Sequence, residues 1–146
     1  MSGTLYSMDI LRLAAAIPHY GRLDHADGSA ELRSPICGSR VLIDVAMRDG
    51  RLGGLGLEVS ACALGQASAA LLAKDALGKT LPEIRDAEAR LAAYLAGERD
   101  DTAFWSGLDV LAKARDYPAR HAAILLPFQT LAAAMAQTVT AKGEDA

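Results

Sequence analysis

The chain contains two cysteines, Cys37 and Cys62, and they are its strongest candidates for chemistry. Two cysteines do not make a disulfide framework, so they are better interpreted as thiols or metal ligands. Cys62 directly precedes a predicted helix, and the partial positive charge at a helix N-terminus favours a thiolate. We therefore expect Cys62 to be the more reactive. Two alternatives stay open: both cysteines pack as small hydrophobic groups, or they join in a disulfide through oxidation.

Three short stretches contain the remaining candidates. They are Ser34-Pro-Ile-Cys37-Gly-Ser39-Arg-Val41, Ala61-Cys62-Ala-Leu-Gly-Gln-Ala-Ser68 and Arg120-His121-Ala-Ala123-Ile-Leu-Leu-Pro-Phe128. Their order and spacing resemble three characteristic blocks of the iron–sulfur scaffold family typified by IscU, SufU and the N-terminal domain of NifU. Cys62 and Ala123 are 61 positions apart, and this long spacer resembles the SufU branch.

The resemblance implies a metal or cluster site at one end of the molecule. In complete family members, three cysteines and an aspartate hold zinc or a nascent cluster, and a cysteine desulfurase delivers sulfur to them. Cys37 and Cys62 match the first two cysteines of that set. Ser39 stands at the aspartate position and Ala123 at the third cysteine position, so the set is incomplete. His121 matches no family ligand and is a further metal-ligand candidate only as a substitute.

The function implied by the resemblance is that of a non-catalytic scaffold-like protein of iron–sulfur cluster assembly. It would bind iron, zinc or a nascent cluster weakly, or dock on a cysteine desulfurase or other assembly proteins. Two thiolates do not complete a four-ligand zinc or cluster site, so the absence of any cofactor is equally open. A homodimer is also open, because two chains would supply four thiolates.

Two other functions remain open beside the scaffold interpretation. The first is a protein-interaction module on the same fold that has lost metal binding, and the second is a zinc-linked sulfurtransferase accessory. An enzyme is not expected, because the sequence contains no Ser–His–Asp set, no paired carboxylates and no phosphate-binding loop.

The elements that position the three stretches are predicted from periodicity. A two-residue period indicates a strand through Val41, Ile43, Val45 and Met47, and Asp49-Gly50 is a hairpin signal. Another strand follows the hairpin over residues 52–59, where several glycines make a bulge plausible. A short strand near Ala30 to Arg33 precedes both along the chain. These three segments predict a small antiparallel sheet.

The rest of the chain is predicted to be helical. A first helix ends at Pro18 and Gly21. A second helix follows Cys62, has small residues along one face and ends at Gly78. Thr80-Leu-Pro-Glu83 is a capping box that opens a third helix. A short helix is expected from Phe104 to Ala112 with Phe104-Trp105 as a satellite cluster, and the last helix begins near Pro118. The predicted fold is α+β, a three-stranded antiparallel sheet with helices packed on one face.

Length and composition limit the remaining classes. The 146 residues fit a single domain over 1–146, with a tail from about 138 that we expect to be disordered. A net charge of −3 gives no electrostatic basis for binding nucleic acid. No apolar run approaches the roughly 20 residues of a membrane span, and the N-terminus has no signal-peptide pattern. We therefore expect a cytoplasmic protein that binds neither nucleic acid nor membrane.

Overall fold

The sheet has three antiparallel strands. The computed structural model describes residues 7–35 and 38–145, and side chains only up to residue 139. Strands β1 (Gly28–Arg33), β2 (Arg40–Arg48) and β3 (Arg51–Ser60) lie in the order β1-β2-β3. β1 begins two residues earlier than its expected start at Ala30.

The hairpin between β2 and β3 confirms both local predictions. Asp49 and Gly50 have positive φ angles of 55° and 78°, which suit the mirror-image turn of a two-residue hairpin. The register then shifts: Met47 pairs with Leu52, whereas Ala46 pairs with Gly54. Gly53 is therefore the extra residue of a β-bulge.

The final helix covers one face of the sheet. Helix α4 (His121–Asp145) packs against β1 and β2. Gly28 permits this close approach, because a Cβ at that position would lie 2.5 Å from the Ala134 carbonyl oxygen and 3.4 Å from the Val45 side chain. Two of the other helices pack against α4, and the first helix of the chain packs against one of these two. The predicted α+β fold with helices on one face is confirmed.

A loop covers the opposite face of the sheet around Asp44, whose side chain is 1% exposed. The Asp44 carboxylate accepts hydrogen bonds from the Arg22 guanidinium at 2.7 and 3.2 Å, from the Leu23 amide at 3.1 Å and from the Ser29 hydroxyl at 2.7 Å. Gly56 leaves room for the loop, since a Cβ there would lie 2.5 Å from the Gly21 carbonyl oxygen. These contacts anchor the loop at residues 21–27 to the sheet.

Three helices precede the last one along the chain. They are α1 (Met8–Ala15), α2 (Ala63–Asp75) and α3 (Leu81–Leu95). The capping box at the start of α3 is confirmed, because the Thr80 hydroxyl accepts from the Glu83 amide while the Glu83 carboxylate accepts from the Thr80 amide. The predicted apolar face of α3 is buried at Ile84, Ala87, Leu91 and Tyr94.

The segment between α3 and α4 differs from its prediction in two respects. A 3-10 helix runs over Leu108–Asp116 in place of the expected helix from Phe104 to Ala112, and a 3-10 turn at Pro118–Arg120 precedes α4. The expectation of a satellite cluster is wrong for Trp105, which is buried in the main core. Its ring packs edge-on against Phe128 with centroids 5.2 Å apart, and its indole N–H donates to the Leu71 carbonyl at 2.9 Å.

One stretch of the described chain, Pro118–Val139, is long and apolar enough to cross a membrane. This corrects the expectation that no such run exists. Of its most apolar window, 61% is buried inside the protein, as in a core helix. The single-domain prediction over 1–146 and the predicted disorder of the tail from about 138 stay predictions.

Candidate cysteine site

The strand register brings the first two candidate stretches to the same end of the sheet. Arg40, the first residue of β2, pairs with Ser60, the last residue of β3. Ser39, directly before β2, and Cys62, two residues after β3, therefore lie at this end. Cys37 itself lies outside the described residues, so the prediction that it shares a site with Cys62 stays a prediction.

Cys62 is the N-cap residue of α2, as the sequence predicts. Its backbone is extended, with φ −66° and ψ 170°, and its half-buried side chain makes no capping hydrogen bond. The sulfur is consequently not engaged by the helix that follows it. The first amide groups of α2 give this end of the helix a partial positive charge, which favours anionic groups nearby.

Ala123 faces the first turn of α2. A Cβ on Gly65 would lie 3.5 Å from the Ala123 Cβ and 3.3 Å from the Ala123 carbonyl oxygen, and Ala123 is 1% exposed. Pro127 has no N–H to donate to that carbonyl within α4. The Ser68 hydroxyl donates to the Ile124 carbonyl at 2.6 Å and joins the two helices in the next turn. The third stretch therefore meets the second. The methyl group of Ala123 lies beside Gly65, three residues after Cys62 in the chain.

The loop before β2 places two serines in buried positions. The Ser34 amide donates to the Ser39 carbonyl at 2.8 Å, and the Gly38 amide donates to the Ser34 carbonyl at 2.9 Å. Both serine residues are buried, and the Ser34 hydroxyl makes no hydrogen bond to any residue that the structure describes. A serine hydroxyl is not among the usual ligands of zinc, so Ser39 does not replace a carboxylate at this position.

His121 lies at the start of α4 with its ring directed at the adjacent 3-10 helix. Its Nε2 is 2.8 Å from the Ala114 carbonyl oxygen. A carbonyl only accepts hydrogen bonds, so we assign the proton to Nε2, and this nitrogen is no metal ligand while the bond persists. His121 as a substitute ligand stays a prediction. Among the described residues, no group of three or more His, Cys, Asp or Glu side chains is arranged to hold a metal ion.

Sequence reasoning missed two side chains that contact the backbone beside Cys62. The Gln66 amide donates to the Ala61 carbonyl at 2.9 Å, and the Tyr20 hydroxyl bonds both backbone groups of Val59. Gln66 follows Cys62 by four residues, one helical turn, which is a signal that could have been used. Tyr20 lies 39 residues from Val59 and had no local signal.

Comparison with known proteins agrees with this geometry. No protein-family model matches the chain. The iron–sulfur cluster assembly scaffold protein IscU of Thermotoga maritima is 27% identical over 131 residues, which cover 90% of this chain and 92% of IscU. The crystal structure of a putative iron–sulfur cluster assembly scaffold protein for the SUF system, from Fervidobacterium islandicum AW-1, is 23% identical with a TM-score of 0.84. That match covers 92% of this chain and 99% of the other, and it shows the shared fold.

A third similarity is stronger in sequence. The nitrogen-fixing NifU-like protein (N-terminal) from Brucella abortus is 33% identical, with a TM-score of 0.87 over 94% of this chain and 96% of the other. Fold and site together define a small α+β protein with a cysteine at one end of a three-stranded sheet. The chain belongs to the family of IscU, SufU and N-terminal NifU-like proteins.

Proposed function

We propose that this chain is a non-catalytic, scaffold-like protein of iron–sulfur cluster assembly that binds iron, zinc or a nascent cluster weakly. The proposed ligands are Cys62 and Cys37, with His121 as a substitute that would first have to leave the Ala114 carbonyl. The observation that carries the proposal is the placement of Cys62. Cys62 is the N-cap residue of α2, and its side chain makes no capping hydrogen bond. It lies at the end of the sheet where the loop before β2 and the first turn of α4 also lie.

The described residues limit how tightly such a cargo is held. A cluster usually takes four thiolates and structural zinc takes four ligands. Ala123 and Ser39 supply a methyl group and a hydroxyl at two of the family's ligand positions. One chain then offers two thiolates, and water, a partner protein or a second copy of the chain completes the shell. Weak, exchangeable binding follows from this ligand count.

The proposed partners are a cysteine desulfurase or other iron–sulfur assembly proteins, met in the cytoplasm. Support comes from the relatives, which are scaffold proteins of cluster assembly and share this fold across nearly their whole length. Cys62 is partly buried against the hydrophobic core, and its exposed part is where a sulfur donor would approach.

The main competing function is a protein-interaction module that has lost metal binding. The buried Ala123 methyl group and the Ser39 hydroxyl favour it, because neither position contributes a usual metal ligand. A zinc-linked sulfurtransferase accessory is the third candidate. It differs from the scaffold in that Cys62 would carry sulfur while zinc served only as structural support.

Metal analysis of protein purified without oxygen tests the proposal. We expect substoichiometric zinc or iron as purified, and one zinc ion bound weakly on titration against a chromophoric chelator. Cys62→Ser should abolish that binding, whereas Ser106→Ala, an exposed control far along the chain, should not change it. If the wild type binds no zinc or iron at all, the interaction module is the better description. Stoichiometric, chelator-resistant metal would show that further ligands exist.

A further inference from the structure

The backbone that leads from β3 into α2 is held by side chains. Val59 lies at the end of the sheet, and the Tyr20 hydroxyl accepts from its N–H at 3.2 Å and donates to its C=O at 3.4 Å. The neighbouring Gly21 amide donates to the Leu57 carbonyl at 2.8 Å. Residues 20 and 21 therefore occupy the free edge of β3 just before the cysteine.

A second side chain holds the next carbonyl. The Gln66 amide nitrogen donates to the Ala61 carbonyl at 2.9 Å. The Ala61 carbonyl and the Cys62 N–H belong to one planar peptide group. Holding that carbonyl fixes the plane from which the Cys62 side chain departs. The Gln66 backbone N–H also donates to the Cys62 carbonyl at 2.9 Å, so Gln66 contacts the backbone on both sides of Cys62.

We propose that Tyr20 and Gln66 are positioning residues for Cys62, which together fix the backbone that presents its thiol at the N-terminus of α2. Cys62 makes no capping bond of its own, so its side-chain direction depends on this backbone. The purpose of the positioned thiol rests on the proposed function, but the positioning itself does not.

Both contacts lie beside the same cleft. Tyr20, Gln66 and Val59 line a cleft of about 340 Å³ between the end of α1 and the start of α2. Its other described lining residues are apolar: Ala14, Ala15, Ala16 and Ile17. Tyr20 and Gln66 are thus the two hydrogen-bonding side chains of this cleft within the described part of the chain. If the Tyr20 hydroxyl or the Gln66 amide is removed, water takes its place as the hydrogen-bond partner of Val59 or of the Ala61 carbonyl.

Backbone dynamics of the full-length chain, labelled with ¹⁵N-cysteine, test the proposal directly. The variants are Tyr20→Phe, which removes only the hydroxyl, and Gln66→Met, which keeps the side-chain length but removes the donor. Exposed residues of the same types provide matched controls, Tyr117→Phe and Gln129→Met. We expect the order parameter of the Cys62 amide to be near 0.85 in the wild type and both controls. It should fall toward about 0.6 in both variants.

A zinc titration of the same proteins separates positioning from a purely structural role. Each variant should bind zinc about fivefold more weakly than the wild type, which is the equivalent of one neutral hydrogen bond. The midpoint of thermal unfolding of each variant should equal that of its matched control. An unchanged Cys62 order parameter in both variants overturns the proposal. A wild type that binds no zinc overturns the proposed function alone, because the order parameters still decide whether Tyr20 and Gln66 position Cys62.

Discussion

Cys62 at the start of α2 and Ala123 in α4 lie where the two helices meet. Cys62 contributes a sulfur there, and Ala123 contributes a methyl group. Gly65 lets these helices approach closely, so the Ala123 Cβ points at the first turn of α2. A thiol at position 123 would therefore lie close to the start of α2, whereas Ala123 places a methyl group there.

The reactivity of the two thiols is a first test at this scale. Cys62 should alkylate faster than Cys37 at neutral pH, because it is the N-cap residue of α2 and its side chain makes no capping hydrogen bond. Iodoacetamide labelling followed by peptide mapping measures both rates, and the urea-unfolded protein supplies the intrinsic rate of each. Equal, slow rates in the folded protein would favour two buried, inert cysteines.

Restoring the family's ligands should convert the weak site into a strong one. Four-ligand zinc peptides bind with apparent free energies of about 10–16 kcal/mol, or roughly 3 kcal/mol per ligand. Ala123→Cys should therefore raise zinc affinity by about two orders of magnitude, and Ser39→Asp should add to this in the double variant. A chromophoric chelator measures each affinity.

The matched control is Ala122→Cys, which adds the same thiol one residue away on α4. A cysteine at 122 points about 100° around the helix from position 123, so it should leave zinc affinity near the wild-type value. If the control and Ala123→Cys bind zinc equally, the positional match at 123 is wrong. If the double variant binds zinc no more tightly than the wild type, the positional match at 39 is wrong as well.

At the scale of elements, the site depends on how α2 begins against α4. Small residues line this contact, and the bond from Ser68 to the Ile124 carbonyl sets the helices in register. The stripe of alanine, glycine and serine predicted in α2 is buried along most of its length. Such a contact tolerates no added volume, because the closest neighbours include backbone atoms.

Gly65→Ala tests this packing. The new Cβ would lie 2.8 Å from the Ala61 Cβ and 3.3 Å from the Ala123 carbonyl oxygen. Overpacking costs about 1–3 kcal/mol, which outweighs the gain of up to about 1 kcal/mol in helix propensity. We expect a lower free energy of unfolding in urea.

The swap Ala61→Gly with Gly65→Ala is the sharper measurement, since it removes the methyl group that clashes. The double variant should recover part of the lost stability, giving a favourable coupling energy in a double-mutant cycle. A stabilising effect of Gly65→Ala alone would show that the two helices are further apart than described.

At the scale of the whole molecule, the Asp44 network holds a loop on the face of the sheet opposite to α4. α4 covers one face, and the loop at residues 21–27 is held on the other by the buried Asp44 carboxylate. Burial raises the pKa of Asp44, but the hydrogen bonds from Arg22, Ser29 and the Leu23 amide, with the charge of Arg22, outweigh it and hold the pKa below its usual value.

The sign of this pKa shift defines a pH dependence. A carboxylate with a lowered pKa in the folded state stabilises the fold above its unfolded pKa of about 3.9, and that contribution is lost as the pH falls through the lower, folded value. Asp44→Asn should lower the free energy of unfolding by about 2–3 kcal/mol at pH 7. The asparagine NH2 group is itself a donor, so it would face the donors that bond the Asp44 carboxylate. The difference from the wild type should shrink below about pH 4.

Urea unfolding at pH 7 and pH 3 measures both effects. Asp109→Asn, at an exposed position on the 3-10 helix, is the control and should change little at either pH. A constant difference between wild type and Asp44→Asn across this range would show that folding does not lower the pKa of Asp44.

Residue periodicity and the order and spacing of three short stretches were together sufficient to predict the fold class and the place of Cys62 at the start of α2. They did not predict the contacts that hold Cys62. The partner of Tyr20 is Val59, and the partner of Arg22 is Asp44, pairs separated by 39 and 22 residues. No periodicity in the chain encodes which of many distant backbone or carboxylate groups a side chain will meet.

The amino-acid sequence by itself determined the features whose interactions lie within a few residues. The Asp49-Gly50 turn, the capping box of Thr80 and Glu83, and the helix after Cys62 are of this kind, because backbone sterics and local hydrogen bonds specify them. Only the tertiary structure decided that Trp105 belongs to the main core and that Ala123 faces α2. Both depend on which helix surfaces pack together, and that packing is set by the shape of the whole core, since no single segment can bury its apolar face alone.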